Sequence, residues 1–168
     1  MINKLEKNFV EKKETIDYKV KEINDNNIDS LNELVEESMK ENINFVKRTV
    51  NEWKSGKNNF SKKGEKLWGL FLQNKCIAIG GLNIDPYIEN NEGSIGRVRH
   101  VYVAQKYRGF DLSRVIMKLI MEEAKKNFKI LRLSTQNPIA ASLYESLGFK
   151  KEVDINENRA EYVNKIND

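Results

Sequence analysis

Apolar positions along the chain switch between alternation and helical spacing, and each switch predicts an element. Ile16, Tyr18 and Val20 alternate with Asp17, Lys19 and Lys21, which predicts a half-buried strand opening a domain near Thr15. The polar run Asn24 to Asp29 breaks it. Ile28, Leu31, Leu34, Val35 and Met39 follow at helical spacing. Phe45, Val46, Val50 and Trp53 extend the stripe past an interruption at Glu41 to Asn44, giving two helices or one kinked helix. Gly56 to Gly64 is polar and reads as a flexible loop. Leu67 to Leu72 and Cys76 to Ile84 read as strands joined through Gln73-Asn74-Lys75 into a hairpin. After a polar loop from Asp85 to Ser94, the pattern predicts a strand at Ile95 to Val103, a helix at Leu112 to Lys126 and a strand at Ile130 to Ser134. A helix at Pro138 to Leu147 and two closing strands, Phe149 to Val153 and Ala160 to Ile166, complete the series. The expected class is α/β, a mixed sheet flanked by helices and split beside the Val101 strand.

Two segments carry chemistry. Val101 to Ser113 is a strand, a turn at Arg108-Gly109 and a helix start in that order. The first-turn N–H groups of such a helix have no partner within it, and with the helix dipole they cradle phosphate. Asn137 to Phe149 reads as an N-cap, a proline at the first helical position, one amphipathic helix and a glycine stop. Together these segments resemble the GNAT superfamily of N-acetyltransferases, in which R/Q-x-x-G-x-G/A binds the acetyl-coenzyme A pyrophosphate and N-x-x-A-x-x-x-Y-E-x-x-G-F follows. Asn137, Ala140, Tyr144, Glu145, Gly148 and Phe149 match the second motif at full spacing. Arg108 matches the first motif, whereas Asp111 stands where its central glycine is usual and Ser113 where Gly or Ala is usual.

The resemblance covers roughly Ile16 to the C-terminus. It implies a mostly antiparallel central sheet, acetyl-coenzyme A as co-substrate, and direct transfer of acetyl to a primary amine of a small molecule or peptide. It also implies cofactor contacts from Val101, Tyr102, Val103, Arg108, Gly109, Phe110, Asp111, Leu112, Ser113, Arg114, Asn137 and Ala140, with Tyr144 as the catalytic acid. The backbone N–H groups of Val101 and Val103 are candidates to pin the acetyl carbonyl and pantetheine, provided that their strand bulges and leaves them unpaired with the neighbouring strand. Asp111 and Ser113 motivate an alternative, a non-catalytic acyl-coenzyme A-binding or protein-interaction module on the same fold. As a short acid at a helix start, Asp111 is expected to cap that helix and compete with pyrophosphate.

The 168 residues suit one domain, 15–168, behind a polar extension over 1–14. A net charge of +4 raises the question of nucleic acid, but lysines interleave with Glu, Asp and Asn, as on a solvated surface. The densest basic cluster, Lys54 to Lys66, is a loop, so no dedicated nucleic-acid partner is expected. The start lacks a signal-peptide core and no apolar run approaches a membrane span, so a cytoplasmic protein with no membrane partner is expected. A homodimer is compatible with the sequence. One cysteine and one histidine offer no metal spacing, so no metal is expected. Cys76 reads as a small buried hydrophobe.

Acetyl transfer also needs a neutral amine. No glutamate stands on the strand before Val101; Arg97, Arg99 and His100 do, and a lone strand histidine reads as structural. Asp85, Glu89 and Glu92 are candidates to attract a cationic amine, and the base is unassigned. The acceptor site is expected between the helices of Ile28 to Trp53 and the loop Asp85 to Ser94.

Overall fold

The computed structural model describes residues 15–156 and 159–167; the expected extension at 1–14 lies outside them. The chain order is β1 (Lys19–Glu22), α1 (Asn32–Lys40), α2 (Phe45–Ser55), β2 (Lys66–Leu72), β3 (Lys75–Ile84), β4 (Ile95–Val103), α3 (Leu112–Asn127), β5 (Ile130–Thr135), α4 (Pro138–Ser146), β6 (Lys150–Asn156) and β7 (Arg159–Lys165). The strands form one seven-stranded sheet in the order β1-β2-β3-β4-β5-β7-β6. Every neighbouring pair is antiparallel except β4 and β5. This is the mixed, mostly antiparallel α/β architecture that the sequence implies. Among the described residues no helix is long and apolar enough to cross a membrane.

Because side chains alternate across a strand, the sheet has two apolar faces, each buried by different helices. Leu70, Ile77, Leu82 and Val103 pack with Ile116, Met117 and Ile120 of α3 and with Tyr144 of α4. Leu67, Phe71, Ile79 and Tyr102 pack on the other face with Leu34 of α1 and with Val46 and Val50 of α2. The interruption at Glu41 to Asn44 is a true break, so α1 and α2 are separate helices.

Two sequence expectations change. The first strand begins at Lys19, later than the alternation suggests, and all four of its residues are exposed because it pairs only with β2 at the sheet edge. Ile16 and Tyr18 still pack on the core, ahead of the strand. The loop Gly56 to Gly64 is polar but not loose. Phe60 is buried within it and stacks on Trp53 at 6.2 Å, and Asn58 exchanges hydrogen bonds with Asn83 of β3 at 2.9 and 3.0 Å.

β4 and β5 pair only from Ile95 to Arg97 against Ile130 to Arg132, and beyond that point the sheet forks. A charge cluster sits at the fork. Arg97 donates to Asp85 Oδ2 at 3.1 Å, to Glu161 Oε1 and Oε2 at 2.8 and 3.2 Å, and to Ser134 Oγ at 3.1 Å. The Arg97, Asp85 and Glu161 side chains are only 6%, 0% and 8% exposed. Arg132 adds a bond to Glu161 Oε1 at 3.1 Å. Burial favours neutral Arg97, but the bonds and charges of Glu161 and Asp85 outweigh it and push the pKa upward. Removing one member of such a group leaves uncompensated buried charge. Arg97→Leu is therefore expected to lose about 3–5 kcal/mol of stability at neutral pH, measured by denaturant unfolding.

Candidate active site

Past the fork, β4 does not run straight. Its register against β3 slips between Ile79 and Gly81, so that His100 and Val101 stand opposite the single residue Gly80. This is the bulge that the role expected of Val101 and Val103 requires. His100 carries it with φ of 55°, a left-handed conformation that a side-chain-bearing residue adopts only when held. A Cβ on Gly80 would lie 2.1 Å from Ile116 Cγ2, so glycine here lets α3 press against the sheet behind the bulge.

What holds His100 is α2. Thr49 Oγ1 donates to the Phe45 carbonyl at 2.8 Å and lies 2.5 Å from His100 Nδ1. The hydroxyl has one proton, which the carbonyl takes, so Nδ1 must donate to Thr49 and Nε2 keeps a bare lone pair. Nε2 is buried and has no partner among the described residues. The ring stacks on Phe45 at 5.7 Å. Burial, and then the charges of Arg99 and Arg48, hold the imidazole down at about 3. A ring that stays neutral at physiological pH and serves as the pivot of a bulge fits the structural reading of His100.

The turn after β4 places Gly109 and Asp111 in left-handed conformations, with φ of 91° and 63°. Asp111 corrects an expectation. It occupies the N-cap position of α3, yet its side chain makes no capping hydrogen bond. It is 69% exposed and lies 3.4 Å from Arg114 Nε. The first intrahelical bond at this end is Val115 N to the Asp111 carbonyl at 3.3 Å, and among the described residues the N–H groups of Leu112, Ser113 and Arg114 have no partner, as the first turn of a helix leaves them.

Arg108 also differs from the side-chain phosphate contact expected of it. Its guanidinium grips Glu41, at the end of α1, through two bonds of 2.6 and 2.8 Å. Its Nε donates to the Val103 carbonyl at 3.0 Å. Tyr102 Oη donates to the same Glu41 at 2.5 Å. The Arg108 bond, opposed by burial and joined by Tyr102, holds the Glu41 carboxyl below the usual carboxylate range. Arg108 is thus a strap between the loop, β4 and α1.

On the far wall of the fork, Asn137 caps α4 by accepting from Ile139 N at 2.9 Å and Ala140 N at 3.5 Å, with Pro138 next to it. This cap agrees with the sequence reading and leaves the Asn137 amide nitrogen for a ligand. Tyr144, one turn beyond Ala140, is 9% exposed and packs edge-on against Phe149 at 6.1 Å. Burial pushes its phenol up to about 12, so it is a protonated donor at neutral pH.

The diverging strands, the α3 and α4 starts and the α1–α2 turn enclose a cleft of about 1350 Å³. It exceeds the roughly 300–1000 Å³ of ordinary ligand pockets. The cleft brings together all of the residues implied as cofactor contacts except Phe110, along with Tyr144. Phe110 packs against the main core, half-buried. Asn42, Phe45, Arg48 and Tyr87 also line it, from the α1–α2 turn, α2 and the loop after β3, the elements that the sequence predicts to hold the acceptor site. The acidic candidates do not. Asp85 is buried against Arg97, and Glu89 and Glu92 are not among the lining residues. Cys76 is buried, with its thiol pushed up to about 12 by desolvation, as its reading as a hydrophobe implies.

Sequence reasoning missed Glu41, Thr49 and Tyr87, and it assigned Phe45 only to an apolar stripe. The spacing of Phe45, Arg48 and Thr49 on one helix face was the available signal.

A family model for the acetyltransferase (GNAT) domain matches residues 63–151, over half of the 168-residue chain. The chain belongs to this family. Its fold is shared by a candidate acetyltransferase of Exiguobacterium sp. 255-15, with a TM-score of 0.75 at 22% identity, over 89% of this chain and 94% of that one. An acetyltransferase of Streptococcus agalactiae 2603 gives 0.68 at 17% identity over 88% and 98%. The PaiA N-acetyltransferase of Thermoplasma acidophilum, solved in complex with coenzyme A, gives 0.66 at 18% over 89% and 99%.

Two stability outcomes follow from the loop. Asp111→Gly loses no capping bond and relieves a left-handed backbone, so a gain of up to about 1 kcal/mol is expected in thermal melts. Glu41→Gln should cost under about 1 kcal/mol at neutral pH, since Arg108 is part-exposed. A carboxylate with a lowered folded pKa contributes stability above its unfolded pKa, and that contribution fades as pH falls through the folded value. The gap between wild type and Glu41→Gln should therefore close in acid, as read from melts across pH.

Proposed function

We propose that the protein is an acetyl-coenzyme A-dependent N-acetyltransferase acting directly on a primary amine of a small molecule or peptide. The observation that carries this reading is one cleft lined by a bulged strand, an uncapped helix start and a buried, protonated tyrosine. In this reading the N–H groups at the start of α3 receive the pyrophosphate, and the bulged backbone of Val101 to Val103 aligns the pantetheine and the acetyl carbonyl. The acceptor nitrogen bonds to the carbonyl carbon, and the carbon–sulfur bond then breaks. Tyr144 gives its proton to the departing thiolate, and the proton shed by the amine restores the phenol through solvent. No covalent enzyme intermediate is needed. The CoA complex of the Thermoplasma relative supports the choice of donor.

The alternative, a module that binds acyl-coenzyme A without turnover, drew on Asp111 blocking the helix start. The exposed Asp111 side chain, paired with Arg114, weakens that ground.

Tyr144→Phe removes the proton donor while keeping the ring, so acetyl transfer should fall about tenfold to ten-thousandfold with coenzyme A affinity nearly unchanged. Thiol release with a panel of amines, paired with calorimetric titration of coenzyme A, checks both halves. An unchanged rate would remove Tyr144 from the chemistry.

A further inference from the structure

The cleft is cationic. Arg48 from α2 and Arg97 and Arg99 from β4 line it together with Arg108 and Arg114, and among the described lining residues Asp111, at the start of α3, is the one acid. Arg97 is neutralised within its buried cluster. Arg48 and Arg99 are different. Among the described residues neither forms an ion pair. Arg99 is half-buried, with its guanidinium 5.9 Å from the Tyr87 ring. Tyr87 is itself fixed by its backbone N–H donating to Asp85 at 2.8 Å and by Arg97 over its ring at 4.8 Å.

Arg48 is exposed and solvated, so desolvation bears on Arg99: a part-desolvated guanidinium without a carboxylate leaves donors to be completed by water or a ligand. Burial lowers the Arg99 pKa, and Arg97 and Arg48 add to that, while Tyr87 and Glu52 oppose it. Glu52 forms no ion pair with Arg99 and lies 3.7 Å from Lys57, so its charge offsets the desolvation of Arg99 only in part. His100 stays neutral and adds no balancing charge.

Resting on the acetyl-transfer reading above, we infer that Arg99 and Arg48 form an oxyanion subsite for the acceptor, so that the acceptor is an amine bearing a carboxylate or phosphate. A guanidinium presents a planar fork that matches either oxyanion. A polyamine would meet like charge there. The same arrangement bears on the missing base. Two cations beside the acceptor disfavour its ammonium form and raise the neutral fraction that attacks the thioester. The subsite is also distinct from the coenzyme phosphates. Arg99 precedes the bulge, whereas the open N–H groups of α3 follow Val103 and the turn.

Matched amines test this directly. Acetyl-coenzyme A turnover is measured with β-alanine against β-alaninamide, 2-aminoethyl phosphate against ethanolamine, and spermidine. The two pairs separate carboxylate from phosphate. At least one anionic amine should exceed its uncharged counterpart and spermidine in kcat/KM by about tenfold or more, the scale of one good charge-assisted contact. Arg99→Gln should erase that preference, Arg99→Lys should retain part of it, and coenzyme A affinity should be unchanged in both. Equal or reversed preference in wild type overturns the inference. So does a preference that survives in both Arg99→Gln and Arg48→Gln, or a loss of coenzyme A affinity in Arg99→Gln. If no amine is acetylated, the transfer reading fails on its own. The subsite is then judged by calorimetry of the coenzyme A-saturated protein with each pair: tighter binding of an anionic member, lost in Arg99→Gln, sustains it, and equal binding overturns it.

Discussion

Arg97 sits where the sheet's own hydrogen bonding between β4 and β5 stops, and its buried ion pairs take over the work of keeping those strands together. Three strands converge on it, since it leaves β4, meets Glu161 of β7, and shares Glu161 with Arg132 of β5. The same guanidinium fixes Asp85 and through it the loop that carries Tyr87. An apolar residue at this position would fill the space without setting a direction. A planar guanidinium with four bonds sets where each neighbour stands, and so sets where the fork opens. The cleft begins at that point.

The bulge above it is a second, independent constraint. Strain at His100 is offset by Thr49 and Phe45, which lie on α2 rather than in the sheet. The bulged strand is therefore shaped from the α2 face of the sheet. The far side supplies the complement, since Gly80 lets Ile116 of α3 approach closely behind the bulge.

Local features were legible in the sequence and distant pairings were not. The Asn137 cap, the hairpin at Gln73-Asn74 and the long α3 follow from neighbours within a few residues, and the structure has them where the pattern put them. The GNAT motifs located the α3 start and Tyr144 for the same reason. Arg108 and Glu41 lie 67 residues apart, Thr49 and His100 51, and Arg97 and Glu161 64. No periodicity encodes such pairs. Asp111 is the instructive error: composition at a helix start suggested a cap, but the backbone is left-handed there and the side chain makes no capping bond. Loop acids suggested attraction of a cation, until Asp85 proved to be buried against an arginine.

The sheet keeps its two apolar faces apart, and this bears on how such a protein can diversify. α1 and α2 rest on one core, and α3 and α4 rest on the other. Substitutions well separated in space and sharing no partners combine nearly additively in stability. The α1–α2 layer can accumulate change with little effect on the α3–α4 layer. The Glu41 strap and the Thr49 contact tie α1 and α2 through polar atoms to the loop after β4 and to the bulge, and Tyr107 packs on both cores. At those points a change in the α1–α2 layer has to be matched by a change in the segment from β4 to α3.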